Sequence, residues 1–343
     1  MSELLSGLGF DDPVLAAPMA GGPSTPELIS AAIGAGHLAF LPGGYLLPDE
    51  LAERLAIIRG RTSSCAVNLF APNPLPIDPA ELQRYARAIT VEAKRHGLEL
   101  AGAHPREDDD AWAEKVDLLL TEPVAVVSFT FGIPSPQTIA AFRRAGTITI
   151  QTVTSPAEAR AATDAGVDAL AVQSSAAGGH FGTLTPREPV PEIPLPELVR
   201  SIAAVCSNPI IAAGGVSKPE AVTDALSAGA TAVMVGTVLL RSLESGASAT
   251  YKAALADPTR TATAITRAFT GRPARALVNR FVQTYDAVAP FGYPAVHYLT
   301  SGLRRAAAAA GDPELVNLWA GTGYRGAIEE PVATILDRLT ART

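Results

Sequence analysis

Ala165-Gly-Val-Asp-Ala-Leu-Ala-Val-Gln-Ser-Ser-Ala-Ala-Gly-Gly-His-Phe-Gly182 joins a helix end, an apolar strand and a glycine-rich turn. Glycine just past a helix takes the left-handed conformation that closes the last turn. Ala165-Gly166 therefore reads as a helix end, and Ala169–Gln173 as the strand that follows. The same unit recurs at Ala35-Gly36 before His37–Leu41, Ala145-Gly146 before Thr147–Thr152 and Ala228-Gly229 before Ala232–Val235. Other strand patterns, Val14–Ala17, Cys65–Leu69, Val124–Phe129 and Ile210–Ala213, are apolar throughout rather than alternating. Strands buried on both faces belong to parallel sheets covered by helices.

Eight candidate strands begin near Val14, Leu38, Cys65, Val124, Ile148, Ala169, Ile210 and Ala232. Eight βα units predict an α/β fold of the (β/α)8 TIM-barrel type. The rival is a doubly wound open sheet, which usually carries a G-x-G-x-x-G turn after its first strand; Met19-Ala-Gly-Gly-Pro23 lacks that spacing. Residues 1–246 are expected to form the barrel, with an insertion around 72–122 that starts with Pro72, Pro74, Pro76 and Pro79. Asp108–Asp110 reads as a solvated helix N-terminus rather than a metal site. Residues 247–326 read as a helical subdomain with no clear strand, comprising Tyr251–Ala256, Thr259–Phe269, Val296–Ala310 and Glu314–Ala320. Residues 327–343 hold a last amphipathic helix, Ile328–Leu339, expected to pack back on the barrel. Arg267, Arg272, Arg275 and Arg280 read as solvated surface, with contact to a substrate carboxylate as the alternative.

The chain is 48% hydrophobic and 18% charged, a balance that excludes wholesale disorder. Its net charge of −7, without a basic block, gives nucleic acid or an anionic membrane no foothold, so small molecules are the expected partners. No apolar run approaches the ~20 residues that span a bilayer, and Met1-Ser-Glu-Leu lacks a signal-peptide layout. A cytoplasmic location is expected by default. Cys65 and Cys206 are too few for a disulfide framework, a zinc site or a redox pair, and read as small buried residues.

Active sites of such barrels lie at the C-terminal strand ends, and phosphate sites usually in the loops after the last two strands. Three glycine-bearing segments fall at consecutive strand ends: Gly178-Gly179, Ala213-Gly-Gly215 and Met234-Val-Gly-Thr237. Their main chains can share one phosphate, through Gly178, Gly179, Gly214, Gly215, Met234, Val235, Gly236 and Thr237, although each alone also reads as a turn. His180 adds a ring that titrates near neutrality. Ala17, Pro18 and Met19 can pack against a flat ring, and Asn68 and Gln173 can each donate and accept. Together with the phosphate surfaces they describe a site for flavin mononucleotide (FMN). No metal site is expected.

These segments resemble the nitronate monooxygenases, formerly called 2-nitropropane dioxygenases. The resemblance covers nearly the whole chain. It rests on Ala17-Pro-Met-Ala-Gly-Gly22, Asn68, Ser128-Phe-Thr-Phe-Gly132, Gln173 through Gly182, Ala213-Gly-Gly215 and Val235-Gly-Thr237. Thr270-Gly-Arg-Pro-Ala-Arg275, Leu303-Arg-Arg-Ala-Ala and Leu318-Trp-Ala-Gly321 extend it beyond the broader flavin barrels. It implies oxidation of alkyl nitronates, particularly propionate 3-nitronate, by O2 with FMN, without NAD(P)H or a metal. It also implies flavin binding by Asn68, Gln173, Gly178, Gly215 and Met234–Thr237, with Ala17, Pro18 and Met19 along the ring and His180 catalytic. Ser174, Ser175 and Ala176 depart from the family's usual Gly-x-Glu. Tyr285, Tyr293, His297 and Tyr298 are candidates for the mouth of the site. The alternative functions are an NAD(P)H-dependent FMN reductase acting on quinones or enoyl thioesters, and a non-catalytic phosphate- or flavin-binding barrel.

Overall fold

The computed structural model describes residues 6–62, 64–100 and 102–340. Eight parallel strands, β1 (Val14–Ala16), β2 (Phe40–Pro42), β3 (Ala66–Ala71), β4 (Val126–Phe131), β5 (Ile148–Val153), β6 (Ala169–Gln173), β8 (Ile210–Ala213) and β9 (Ala232–Val235), pair in the order β1-β9-β8-β6-β5-β4-β3-β2. A parallel bridge between Ala16 and Ala39 joins the two ends into a barrel. Each strand begins within two residues of its predicted start. The Ala-Gly units explain why: Gly36, Gly146, Gly166 and Gly229 have φ of 90°, 80°, 94° and 109°, the left-handed geometry that releases the chain into the next strand. Helix starts are equally legible. Thr25, Ser135 and Ser155 each accept a first-turn N–H, and each precedes a proline, whose missing N–H costs nothing there.

Inside the barrel, Leu15, Phe40, Val126, Ile150, Ile211 and Met234 form a packed core with Phe10. The barrel is filled, so a ligand can enter only above it, at the C-terminal strand ends. A second core lies between strands and helices and takes in Val332, Ile335, Leu336 and Leu339 of the helix Val332–Thr340. That helix begins four residues later than predicted and packs beside β1; residues 341–343 of the expected segment lie outside the described residues.

A third core forms the cap, and it draws on two distant stretches of chain. Leu82, Tyr85 and Ile89 of the insertion helix Pro79–Arg95 pack with Phe269, Phe281, Val296 and Leu303. Glu92, buried on that helix, is bonded by both terminal nitrogens of Arg280 and by Tyr285 Oη.

The cap is not purely helical. Thr263–Thr266 (β10) and Ala274–Leu277 (β11) are antiparallel strands, and β11 pairs in turn with a short strand, β7 (Gly179–His180). The expected helix Thr259–Phe269 fails because Thr261-Ala-Thr-Ala-Ile-Thr266 alternates β-branched residues at period two. Glu314–Ala320 is likewise no helix. After a 3₁₀ turn at Pro313–Leu315, Leu318 O accepts from Leu277 N (2.8 Å) and Trp319 bridges to Ala276.

The cap core makes a direct stability prediction. Phe281 is fully buried and stacks on Phe269 with centroids 4.8 Å apart. Phe281→Ala should lower unfolding stability by about 3–5 kcal/mol, whereas Leu243→Ala, at a side chain 61% exposed, should be near neutral; urea denaturation measures both.

Candidate active site

A cavity of about 550 Å³ opens at the C-terminal strand ends beneath the cap. Ala17, Pro18 and Met19 line it after β1, Asn68 from β3, Gln173 from the end of β6, and Gly178, Gly179 and His180 from the β7 loop. Gly214 and Gly215 contribute after β8, and Met234, Val235, Gly236 and Thr237 around the end of β9. The structure thus brings every residue of the sequence-predicted site to one cavity. Cys65 is buried well away from it in the strand–helix core, and Cys206 is half-buried beside that core.

Backbone pairing sets the position of His180. His180 lies opposite Ala274, Gly179 lies opposite Arg275, and Phe181 N donates to Pro273 O (2.9 Å). Gln173 clamps the same loop from below: its Nε2 donates to His180 O (3.1 Å) and its Oε1 accepts from Gly182 N (2.7 Å). Glu158 steadies the next residues, accepting from Thr154 N and Oγ1, Thr183 Oγ1 and Leu184 N at 2.5–2.8 Å. Gly178 is required by close approach, since a Cβ there would stand 2.5 Å from Gly321 N.

Thr270 Oγ1 lies 2.9 Å from His180 Nε2 and 3.3 Å from Arg272 O; with its one hydrogen given to the Arg272 carbonyl, it accepts from Nε2–H. A neutral ring with Nε2–H leaves Nδ1 as an unprotonated base, and among the described residues no hydrogen bond reaches Nδ1. Burial, followed by the charges of Arg272 and Arg304, drives the His180 pKa down to about 3. Around the ring stand Phe131, Tyr293 and Trp319, with centroids 5.5–5.6 Å away. Phe131 has φ of 82°, a strained conformation for a bulky side chain, at the point where β4 meets the site.

Among the described residues no aspartate or glutamate lines the cavity, and its only charged lining residues are Arg304 and Arg305. An acidic protein thus presents a positive, carboxylate-free pocket. The N–H groups of Gly215 and Gly236 make no hydrogen bond to the protein among the described residues, and Gly215 holds φ of 75°. Open donors facing an acid-free space suit a phosphate. A polar belt crosses the opposite wall: Asn68 Nδ2 donates to Ser128 Oγ (2.9 Å) and Thr130 Oγ1 (3.1 Å), leaving Asn68 Oδ1 as an acceptor for a ring N–H.

Several expectations about the cap need correction. Of Arg267, Arg272, Arg275 and Arg280, Arg272 and Arg275 are buried rather than solvated, Arg267 is half-buried and Arg280 keeps a side chain 40% exposed; none lines the cavity. Arg272 is fully buried over the Phe131 ring at 4.1 Å and donates to Thr183 O (2.6 Å). Arg275 is buried and donates to Ser175 O, which places the atypical Ser174-Ser-Ala176 segment under the cap sheet. Arg267 packs on Phe291 and Arg280 pairs with Glu92. Tyr285 belongs to the Glu92 cluster and Tyr298 Oη donates to Asp108 (2.6 Å), so neither forms the mouth; His297 does line the cavity, and Tyr293 stands behind it. Asp110 is not solvated either: it accepts from Tyr45 N (2.9 Å) and pairs with buried Lys115 (2.7 Å).

Sequence reasoning assigned no role to Tyr45, Thr270 or Arg304. A signal for Arg304 was present: His297, Ser301, Arg304 and Ala308 are spaced by four, three and four residues along one helix, and all four face the cavity. Tyr45 sits in a glycine-flanked loop with φ of 67°, a placement no local pattern reveals.

The family model for nitronate monooxygenase matches residues 2–342. A probable nitronate monooxygenase of Staphylococcus aureus (strain Newman) is 34% identical over 350 residues, covering 98% of this chain and 96% of the relative. Among solved structures, a nitroalkane oxidase from Streptomyces ansochromogenes superposes with a TM-score of 0.92 at 42% identity, over 99% of this chain and 97% of that one. FabK from Thermotoga maritima superposes with a TM-score of 0.76 at 25% identity, over 99% and 94%.

A neutral, half-buried histidine has a consequence for stability. In the unfolded chain His180 takes up a proton near pH 6.5, whereas folded it resists protonation until about pH 3. The unfolded state therefore binds more protons below about pH 6.5, and stability falls as the pH drops through that window. The thermal midpoint of the ligand-free protein should decline from pH 7 toward about pH 5, less steeply in His180→Asn; equal slopes would show that His180 is not held neutral.

Proposed function

This chain belongs to the nitronate monooxygenase family of flavin-dependent oxidoreductases, and on that premise we propose that it binds FMN and uses O2 to convert alkyl nitronates of the propionate 3-nitronate type into a carbonyl product and nitrite. The observation that carries this reading is a neutral histidine base in a cavity whose only charged lining residues, among the described residues, are arginines. Both the phosphate of FMN and a nitronate are anions, and a site without carboxylates receives them without like-charge repulsion.

The donor set fits FMN. Gly215 and Gly236 would present free N–H groups to its phosphate, Ala17-Pro-Met19 would lie along its ring, and Asn68 and Gln173 would meet the ring's polar edge. When bound, the flavin supplies the redox chemistry between nitronate and O2. The chain's own residues supply placement and proton control. His180 Nδ1 takes the α-proton of a neutral nitroalkane, while Thr270 fixes the ring through Nε2. For a substrate that arrives as the nitronate, no proton has to move, and the two cavity arginines orient the anion. Phe131, Tyr293 and Trp319 pack around the reacting end and limit water there. A cytoplasmic location is part of this proposal; among the described residues no helix is long and apolar enough to cross a membrane.

Mixing the flavin-loaded protein anaerobically with propionate 3-nitronate should alter the flavin absorption, and readmitted O2 should yield nitrite. Rapid bleaching by NAD(P)H, with no response to nitronate, would instead support a reductase. Colourless protein that takes up no FMN would support a barrel without redox chemistry. His180→Asn should lose about 10²–10⁴-fold in kcat/KM for neutral nitroalkanes and a smaller factor for preformed nitronates. Equal losses on both would contradict a proton-abstracting role.

A further inference from the structure

Arg304 brings an uncompensated charge to the cavity from the helix Ala295–Ala309. Its Nε donates to Thr300 Oγ1 (3.1 Å), and its Nη2 donates to His297 O (3.0 Å) and approaches His297 Nδ1 (3.2 Å). Among the described residues Nη1 makes no hydrogen bond, and no aspartate or glutamate pairs with this guanidinium. The helix therefore holds the arginine by Nε and Nη2 and leaves Nη1 open. Desolvating an arginine without a counter-ion is costly, so such a group marks a place where an anion is brought from outside.

A continuous row of rings connects this edge with the base. His180 and Tyr293 have centroids 5.5 Å apart, Tyr293 Oη donates to Tyr45 Oη (3.2 Å), and Tyr45 stacks on His297 at 4.2 Å with planes 6° apart. His297 then bonds Arg304. A base stands at one end of the row and an open cation at the other. The free N–H groups of Gly215 and Gly236 already provide for a phosphate on the barrel side, and the open Nη1 of a charged guanidinium suits a charge-assisted hydrogen bond to a carboxylate.

We propose that Arg304 is the specificity-determining residue of the site, receiving the carboxylate at the tail of a nitronate whose head lies at His180. This rests on the nitronate reading above. It makes the enzyme selective for nitronates carrying a carboxylate tail, over neutral-tailed nitronates of similar length.

The test compares propionate 3-nitronate with propyl-1-nitronate in flavin-loaded wild type, Arg304→Gln and Arg304→Lys. Arg304→Gln should lower the ratio of the two kcat/KM values by about 10- to 100-fold, the span of a charge-assisted hydrogen bond. Arg304→Lys, which keeps the charge, should retain much of that ratio. An unchanged ratio in Arg304→Gln, including equal loss on both substrates, would overturn the proposal. Titration calorimetry with succinate and butyrate separates this idea from the nitronate reading, because succinate copies both anionic ends without being oxidised. Succinate binding that exceeds butyrate binding in wild type and loses that excess in Arg304→Gln supports the subsite even if neither nitronate is turned over. Succinate bound no better than butyrate in wild type would overturn it.

Discussion

The pairing of Gly179 and His180 with Ala274 and Arg275 is the contact on which the site depends. Those few backbone hydrogen bonds tie a loop of the barrel to a strand of the cap, so the catalytic candidate belongs to both layers at once. A histidine on a free loop would sample solvent and titrate near its ordinary value. Held in the sheet, clamped by Gln173 and covered by Trp319 and Tyr293, it loses its hydration and stays neutral. The cap core anchors the other side of the same sheet, with Phe269 and Phe281 packed against the insertion helix.

Charge placement follows from that enclosure. Carboxylates close to the site are committed elsewhere: Glu158 to four hydrogen bonds beneath the His180 loop, Asp110 to Lys115, and Glu92 to Arg280. Among the described residues, by contrast, no acidic partner pairs with Arg272 or Arg304. Such an arrangement raises the affinity of the cavity for anions and, by the same field, keeps the His180 ring unprotonated. A carboxylate on the cavity wall would reverse both effects.

The barrel was legible because its signals are local. Four Ala-Gly helix ends and wholly apolar strands each state a backbone conformation within a few residues. The glycine surfaces and His180 were legible because barrel topology brings consecutive strand ends together. What escaped was long-range. The expected helix Thr259–Phe269 gives way to the strand Thr263–Thr266 because that strand is stabilised by pairing with Ala274–Leu277, a contact outside the segment itself. The burial of Arg272 and Arg275 was invisible because the carbonyls of Thr183 and Ser175 that receive them are about a hundred residues distant in sequence. Gln173, read only as a flavin contact, also proved to hold the His180 loop.

The central claim is that this loop presents His180 as a neutral ring, protonated on Nε2 toward Thr270 and basic at Nδ1. Nitrogen-15 NMR of histidine-labelled, flavin-loaded protein, with His180 assigned by comparison with His180→Asn, reads the tautomer directly. The account predicts one protonated Nε2 and an unprotonated Nδ1 at neutral pH, unchanged down to about pH 5. A ring protonated on both nitrogens in that range, or the Nδ1–H tautomer, would contradict it.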